Sequence, residues 1–504
     1  MKKKYVRWTL WTIASPFILF IILCILIYLP PIQNFLVDKA AVYASEATGM
    51  NISVGRISLS FPLNLVVTNV DAASPHNDTL LSVRRLQVNV QLLPLLKKQV
   101  EVDGISLQGA TVNSNDLIHG MKLNGTLGEL FISSHGVALD PETAIVNKVL
   151  LKDTDLSLCL NDTAAADTAA SDTTYWKIIL QDIDLQNVSF ALDMPLDSLS
   201  LAASLDNAIL RDGLIDLHKS AYSLQTFRIE NGRVRYDNGK PLAAASLSSG
   251  LDPSHIALTD IGVKLDSLYY GGRNMKAIIS QFVLKERSGV EIVSATGRMV
   301  SNDKVLRVPS LKLETRDSYL ELNAAMDWNA LDFKGEGLMS ARLMADIGKP
   351  DVVRFMGRMD EKFVRQYPSE PLRIRTGIDG DLNKLKLTTL TAELPGALGL
   401  FARGELTHLT DSLLRGGDIT LEAETKDLKF VSTLAEGIEI PYGTRLEGKF
   451  TMAGAKMGTD LLLMQPEAQA VAAADTIPIT VYNDSISVAD DFKMERAARL
   501  FAKY

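Results

Sequence analysis

The stretch Leu86–Val112, "LQVNVQLLPLLKKQVEVDGISLQGATV", decides how this chain folds. It opens in strict alternation, with Leu86, Val88, Val90 and Leu92 apolar and the residues between them polar, and it ends in a glycine-broken apolar pattern at Ile105, Leu107 and Val112. A period of two puts alternate side chains on one face of a β-strand. A face this apolar needs a cover, supplied either by the rest of the protein or by a ligand.

The same period returns at Ile261, Val263 and Leu265 and again at Ile419, Leu421 and Ala423. Helical spacing is confined to a segment after the N-terminus, to Asp351–Val364 and to the C-terminal end, so the body is predominantly β. One motif recurs within it. Two apolar residues two apart are followed five positions later by another apolar residue or pair: Ile105, Leu107, Val112; Val149, Leu151, Leu156, Leu158; Ile183, Leu185, Phe190, Leu192; Phe227, Ile229, Val234, Tyr236. An odd step reverses the face of a regular strand, so each slip is expected to mark a turn or bulge, as in "ENG" at Glu230–Gly232. The expected architecture is a meander of short strands, repeated loosely enough to form one long sheet rather than several closed cores. On the residues alone, that sheet could equally close into a sandwich or barrel.

The N-terminus carries a different signal. A basic segment, residues 1–8, precedes an uncharged apolar run over 9–29, with Trp8, Trp11 and Tyr28 placed as interfacial aromatics. Some twenty apolar residues at about 1.5 Å each match a hydrocarbon core of about 30 Å, and the basic flank keeps the N-terminus cytoplasmic. The run is too long for a cleaved signal and is followed by "PPIQNF", so an uncleaved single-pass anchor is expected, with the bulk of the chain across the membrane. Residues 30–49 read as a short membrane-proximal helix between an Asn34 N-cap and a Gly49 stop. The β body then occupies 50–160 and 175–462. The low-complexity stretch "NDTAAADTAASDTT", residues 161–174, reads as a disordered linker, and 463–504 as an atypical tail where the pattern fades.

Composition narrows the chemistry. The chain has 504 residues, a net charge of −8 and only 7% aromatics, with Lys and Arg scattered rather than striped, which argues against nucleic acid. Cys24 lies in the apolar run and Cys159 in an expected strand, so no disulfide framework or metal cluster is implied. The six histidines are dispersed and read as surface or loop residues. No HExxH, GxSxG or P-loop string occurs, and Gly271-Gly272 and Gly416-Gly417 read as turns between strands. Neither an enzyme nor a cofactor is indicated.

The order of these features carries a resemblance. The basic start, single anchor and "LPPIQNFLVDKAAVYASEATGMNISVGRISLSFPLNLVVTNVDAA", followed by "DTLLSVRRLQVNVQLLPLLKKQVEVDGISLQGATVN", resembles the N-terminal region of AsmA-like proteins, in particular the TamB branch found in Bacteroidetes-type bacteria. Gly49–Ile57, Leu63–Val70, Leu86–Lys98 and Ile105–Val112 match successive family motifs, and "FRIENGRVRYDN", Phe227–Asn238, is similar to the family's repeated strand-turn-strand. The likeness is strong over roughly residues 1–115 and weaker to about 460.

The resemblance implies an elongated, twisted, open β-groove projecting from the inner membrane into the periplasm, shielding phospholipid acyl chains on their way toward the outer membrane. The expected lining, from the clearest alternations, is Leu86, Val88, Val90, Ile105, Leu107, Ile183, Leu185, Phe227, Ile229, Ile261, Val263 and Leu265. The expected partners are phospholipid, the inner membrane and an Omp85-type, TamA-like outer-membrane barrel. The alternative is an outer-membrane protein assembly factor acting through β-edge pairing. TamB proteins are usually longer and end in a β-rich domain, so a chain stopping at Tyr504 reads as a truncated or frame-altered copy or a short homologue.

Overall fold

A computed structural model describes residues 39, 41–42, 45–46, 50–60, 64–74, 79–90, 102–114, 120–138, 142–161, 175–240, 250–332, 336–356, 361–433, 443–453 and 456–464. The expected anchor 9–29, with Trp8, Trp11 and Tyr28, lies outside the described residues, as do most of 161–174 and the tail beyond 464. Among the described residues no helix is long and apolar enough to cross a membrane. Of the expected membrane-proximal helix, Lys39, Ala41, Val42, Ser45 and Glu46 are helical, and Ser45 Oγ accepts a hydrogen bond from the Ile52 amide at 3.0 Å.

The protein is mostly β, and its strands belong to one large meandering sheet. The chain divides into two compact units, Met1–Tyr319 with Pro350–Met359, and Leu320–Lys349 with Asp360–Tyr504. The strands of the first unit are β1 (Asn51–Ser60), β2 (Asn64–Ala73), β3 (Thr79–Val90), β4 (Val102–Asn113), β5 (Met121–Ala138), β6 (Thr143–Leu160), β7 (Lys177–Met194), β8 (Leu199–Asp216), β9 (Ala221–Leu224), β10 (Thr226–Asp237), β11 (His255–Gly271), β12 (Asn274–Glu286), β13 (Glu291–Ser301) and β14 (Val305–Thr315). Each pairs antiparallel with the next, with two exceptions. β6 and β7 run parallel, Val149 beside Ile183 and Leu151 beside Leu185. β9 and β10 act as one strand broken at Gln225, both lying between β8 and β11.

Many strands are longer than the short ones expected, up to 18 residues in β5 to β8, and the odd steps of the motif fall inside them. The reason is backbone conformation. Asn69, Gly109, Asp153, Asn187, Asn231 and Asp260 have φ between +49 and +61°, the left-handed region that Asn, Asp and Gly tolerate best. The flanking pairs place these residues in one line across the sheet: Val54–Val70 and Arg56–Thr68 bracket Gly55 and Asn69, and Lys152–Gln186 and Thr154–Val188 bracket Asp153 and Asn187. A bend at the same row in β2, β4, β6, β7, β10 and β11 folds the sheet along a crease, and the pairing skips that row and resumes beyond it.

The crease also cancels the face reversal. A Cβ on Gly232 would stand 3.1 Å from Ile229 Cγ2 and 3.1 Å from Ile261 Cβ, so positions 229 and 232, three apart, share one side. A further bend lies in β8 at Asp212, where φ is +52°. There a Cβ on Gly213 would stand 2.8 Å from Leu210 Cδ2, again three positions away. The expectation that an odd step marks a turn or bulge holds as a bulge at Glu230–Gly232, where the register shifts between Ile229 and Gly232; the structure adds that the step lies within a strand and not between two.

The second unit holds β15 (Tyr319–Asp327), β16 (Met339–Ile347), β17 (Leu372–Gly380), β18 (Lys384–Leu394), β19 (Leu398–Thr407), β20 (Gly416–Thr425), β21 (Arg445–Ala453) and β22 (Lys456–Met464), with β16 to β22 an antiparallel meander. Gly416 and Gly417 open β20, paired with Thr407 and Leu406, rather than forming a turn. Two short helices, α1 (Lys349–Phe355) and α2 (Glu361–Gln366), fall where helical spacing was expected. Asp351, 1% exposed and part of the first unit, accepts hydrogen bonds from Thr315 Oγ1, Ser318 Oγ and Arg354 of the same unit. In the second unit Phe363, Tyr367 and Phe430 form a buried aromatic cluster with ring centroids 5.1 to 5.8 Å apart.

Candidate functional site

The first unit's sheet is sorted by row. Reading across ten strands from β1 to β11, one row is Leu59, Leu65, Val88, Ile105, Ile132, Val149, Ile183, Leu210, Phe227 and Leu265. Two positions along each strand, the next row on the same side is Ile57, Val67, Leu86, Leu107, Leu130, Leu151, Leu185, Ala208, Ile229 and Val263. Directly paired residues share a face, so both rows are continuous apolar bands. Beyond the first crease the band resumes with Val54, Val70, Val83, Ala110, Leu127, Thr154, Val188 and Leu205.

The opposite side is hydrophilic where it meets the crease. Arg56, Thr68, Arg85, Gln108, Glu129, Lys152, Gln186, Asn207 and Glu230 form one unbroken row. Along the crease, Asn187 Nδ2 donates to Asp153 Oδ1 at 2.9 Å, Asn231 donates to Asp206, and the Arg84 guanidinium lies against Gly109. Farther along the strands Asn147 donates to Gln181 at 3.0 Å and Ser280 to Asp266. On the same outer side Arg211 bridges Asp182 at 3.0 Å and Asp184 at 2.6 Å. Lys285 sits 2.8 Å from Asp260, whose hydrogen bond and charge hold the ammonium pKa above its ordinary value.

On the apolar side Val67, Val83, Ala208 and Ile261 are 5 to 9% exposed and Thr154 2%. In the same two rows Leu86, Leu107, Ile183, Leu185, Phe227, Ile229, Val263 and Leu265 are only partly buried, while Ile105, and Phe190 beyond the crease, reach 36 and 38%. A second protein layer would bring such residues near zero. Each instead leaves tens of Å² in water, on the order of 1 kcal/mol at ~25 cal/mol per Å².

No family model matches the chain, and no curated protein matches its sequence.

The twelve residues read from the alternations therefore come together geometrically. Val88, Ile105, Ile183, Phe227 and Leu265 lie in the first row, and Leu86, Leu107, Leu185, Ile229 and Val263 in the second. Val90 follows Val88 at the end of β3, and Ile261 packs against Gly232 at the crease. Sequence reading missed the far band, such as Val188 and Leu205, because the odd step seemed to send it to the other face. The αL-prone Asn or Asp inside each odd step was the available signal. His255 also departs from its surface reading: it is 6% exposed, its Nδ1 3.0 Å from Asp252 and its Nε2 3.6 Å from Asp237. Among the described residues no group of His, Cys, Asp and Glu is arranged to hold a metal ion.

Proposed function

We infer that this is a lipid-carrying protein of the cell envelope, anchored in the inner membrane by residues 9–29 and holding phospholipid acyl chains against the apolar side of its creased sheet. The observation that carries the reading is the unbroken, partly exposed apolar band across ten strands. Nine strand spacings of about 4.8 Å extend it for about 43 Å. A two-chain lipid crossing water would expose ~30 methylenes, on the order of 20 kcal/mol at ~0.8 kcal/mol each. An open trough of aliphatic side chains removes most of that barrier with no covalent step. The resemblance to AsmA-like proteins supports transport toward the outer membrane.

The test is photo-crosslinking in cells, with the reactive side chain at Leu86, Leu185 or Val263 on the apolar side and at Gln87, Gln186 or Lys264 on the other. Phospholipid adducts at the first three and not the second three are expected. Adducts only to protein neighbours at Leu86, Leu185 and Val263 would sink the reading.

A further inference from the structure

β6 and β7 pair in parallel over 18 residues each, Thr143 beside Lys177 and Cys159 beside Asp193, so the chain returns the whole length of β6 before β7 starts. Both ends of that return are tied down. The amide of Asn161 donates to the Gly120 carbonyl at 2.7 Å at one end, and the amide of Tyr175 donates to Glu142 Oε2 at 2.8 Å at the other. Residues 162–174 join them. The steps from Asn161 to Tyr175 reach about 50 Å at most, taking ~3.6 Å per residue. The strand they must retrace, from Glu142 to Asn161, measures about 60 Å at ~3.3 Å per residue.

The shortfall selects a side. A route over the convex side is longer than the strand it follows, whereas a route through the inside of the bend is shorter. The inside is apolar, because the side chains that converge across the bends are apolar: a Cβ on Gly232 would stand 3.1 Å from Ile229 Cγ2, and one on Gly213 2.8 Å from Leu210 Cδ2.

Handedness selects the same side. A Cβ on Gly213 would also stand 3.3 Å from Leu180 Cβ, which puts Leu180, and with it Ile178, on the apolar side and Lys177 on the outer side. The Lys177 amide donates to the Glu142 carbonyl at 2.9 Å, so the backbone groups of this outward-facing residue point to β6. For an L-residue that places β7 to the right of β6 when both run upward and are seen from the apolar side. A right-handed crossover, the hand of about 98% of connections between parallel strands, then passes over the apolar side.

We propose that residues 162–174 cross the apolar side of the first unit, so that the chain itself occupies part of the face on which the band is exposed. The segment contains only Asp, Thr, Ala and Ser, whose small side chains suit a crossing that takes up little of the bend. The inference does not depend on the lipid reading; an acyl chain held on the band shares the face with this segment.

The experiment uses the full chain with Cys24→Ser and Cys159→Ser. Ala166→Cys is combined either with Leu185→Cys on the apolar side or with Gln186→Cys on the outer side, and a short bis-maleimide is added to the folded protein. Cross-linking of 166 to 185 should be at least about tenfold faster than of 166 to 186, because the sheet separates the second pair. An outer pair that reacts as fast or faster overturns the proposal, as does the absence of a cross-link in both. A second measurement leaves the sheet untouched: a photo-reactive side chain at Ala169 alone, with its adducts located residue by residue by mass spectrometry. Adducts on Leu130, Leu151, Leu185 or Ala208 are expected, and adducts on Glu129, Lys152 or Gln186 in their place overturn the crossing.

Discussion

At the scale of single residues, the decisive positions are small polar ones. Asn187 adopts φ +51° and donates to Asp153 from the adjacent strand. A β-branched side chain there meets the full left-handed penalty, whereas glycine does not, so Asn187→Val should cost about 1–2 kcal/mol more than Asn187→Gly in urea unfolding. Equal costs would mean the corner does not depend on that conformation. Tyr367, in the buried aromatic cluster, has its phenol pKa raised by burial. The unfolded chain ionises first, so its contribution is intact below about pH 10 and is lost as pH rises through the folded value. Absorbance titration should show a late-ionising tyrosine that disappears in Tyr367→Phe.

At the scale of elements, the two units solve the same problem differently. In the second, α2 and the turn Val431–Thr433 bring Phe363 and Phe430 over the strand ends, and the amides of Lys426 and Asp427 donate to Ala397 and Gly396 at 2.7 and 3.2 Å. Leu394 and Ala397, at 4 and 0% exposure, are sealed by protein. Phe363→Ala should therefore cost about 3–5 kcal/mol, read as faster amide exchange over 361–433. In the first unit most of the apolar band is only partly buried, although Ala72, Leu80 and Ala295 are covered to 3 to 7% exposure. Leu185→Asp puts an unpaired charge on the apolar band, and lipid capture at neighbouring positions should fall by at least about tenfold with the far-ultraviolet circular dichroism unchanged. Gln186→Asp, one residue away on the outer side, should leave capture intact.

At the scale of the whole molecule, much was legible beforehand. That the chain is mostly β and that apolar residues two apart share a face follow from a local period, which needs no knowledge of neighbours. Leu86, Val88, Ile105 and Leu107 were placed together for that reason. The odd steps were not legible in the same way. An Asn or Asp five-residue step is compatible with a turn, a bulge or a corner, and each has a different effect on which face follows.

The sequence by itself thus determined the β period, the aliphatic character of one side of each strand and the polar residues that could bend it. Only the tertiary structure decided that Asn69, Gly109, Asp153, Asn187, Asn231 and Asp260 fall in one line, because that depends on the register of strands far apart in the chain. Bends at scattered rows would break the hydrogen-bonded ladder, while bends in one row add into a crease. That alignment turns alternating faces into one apolar side continuous around a corner.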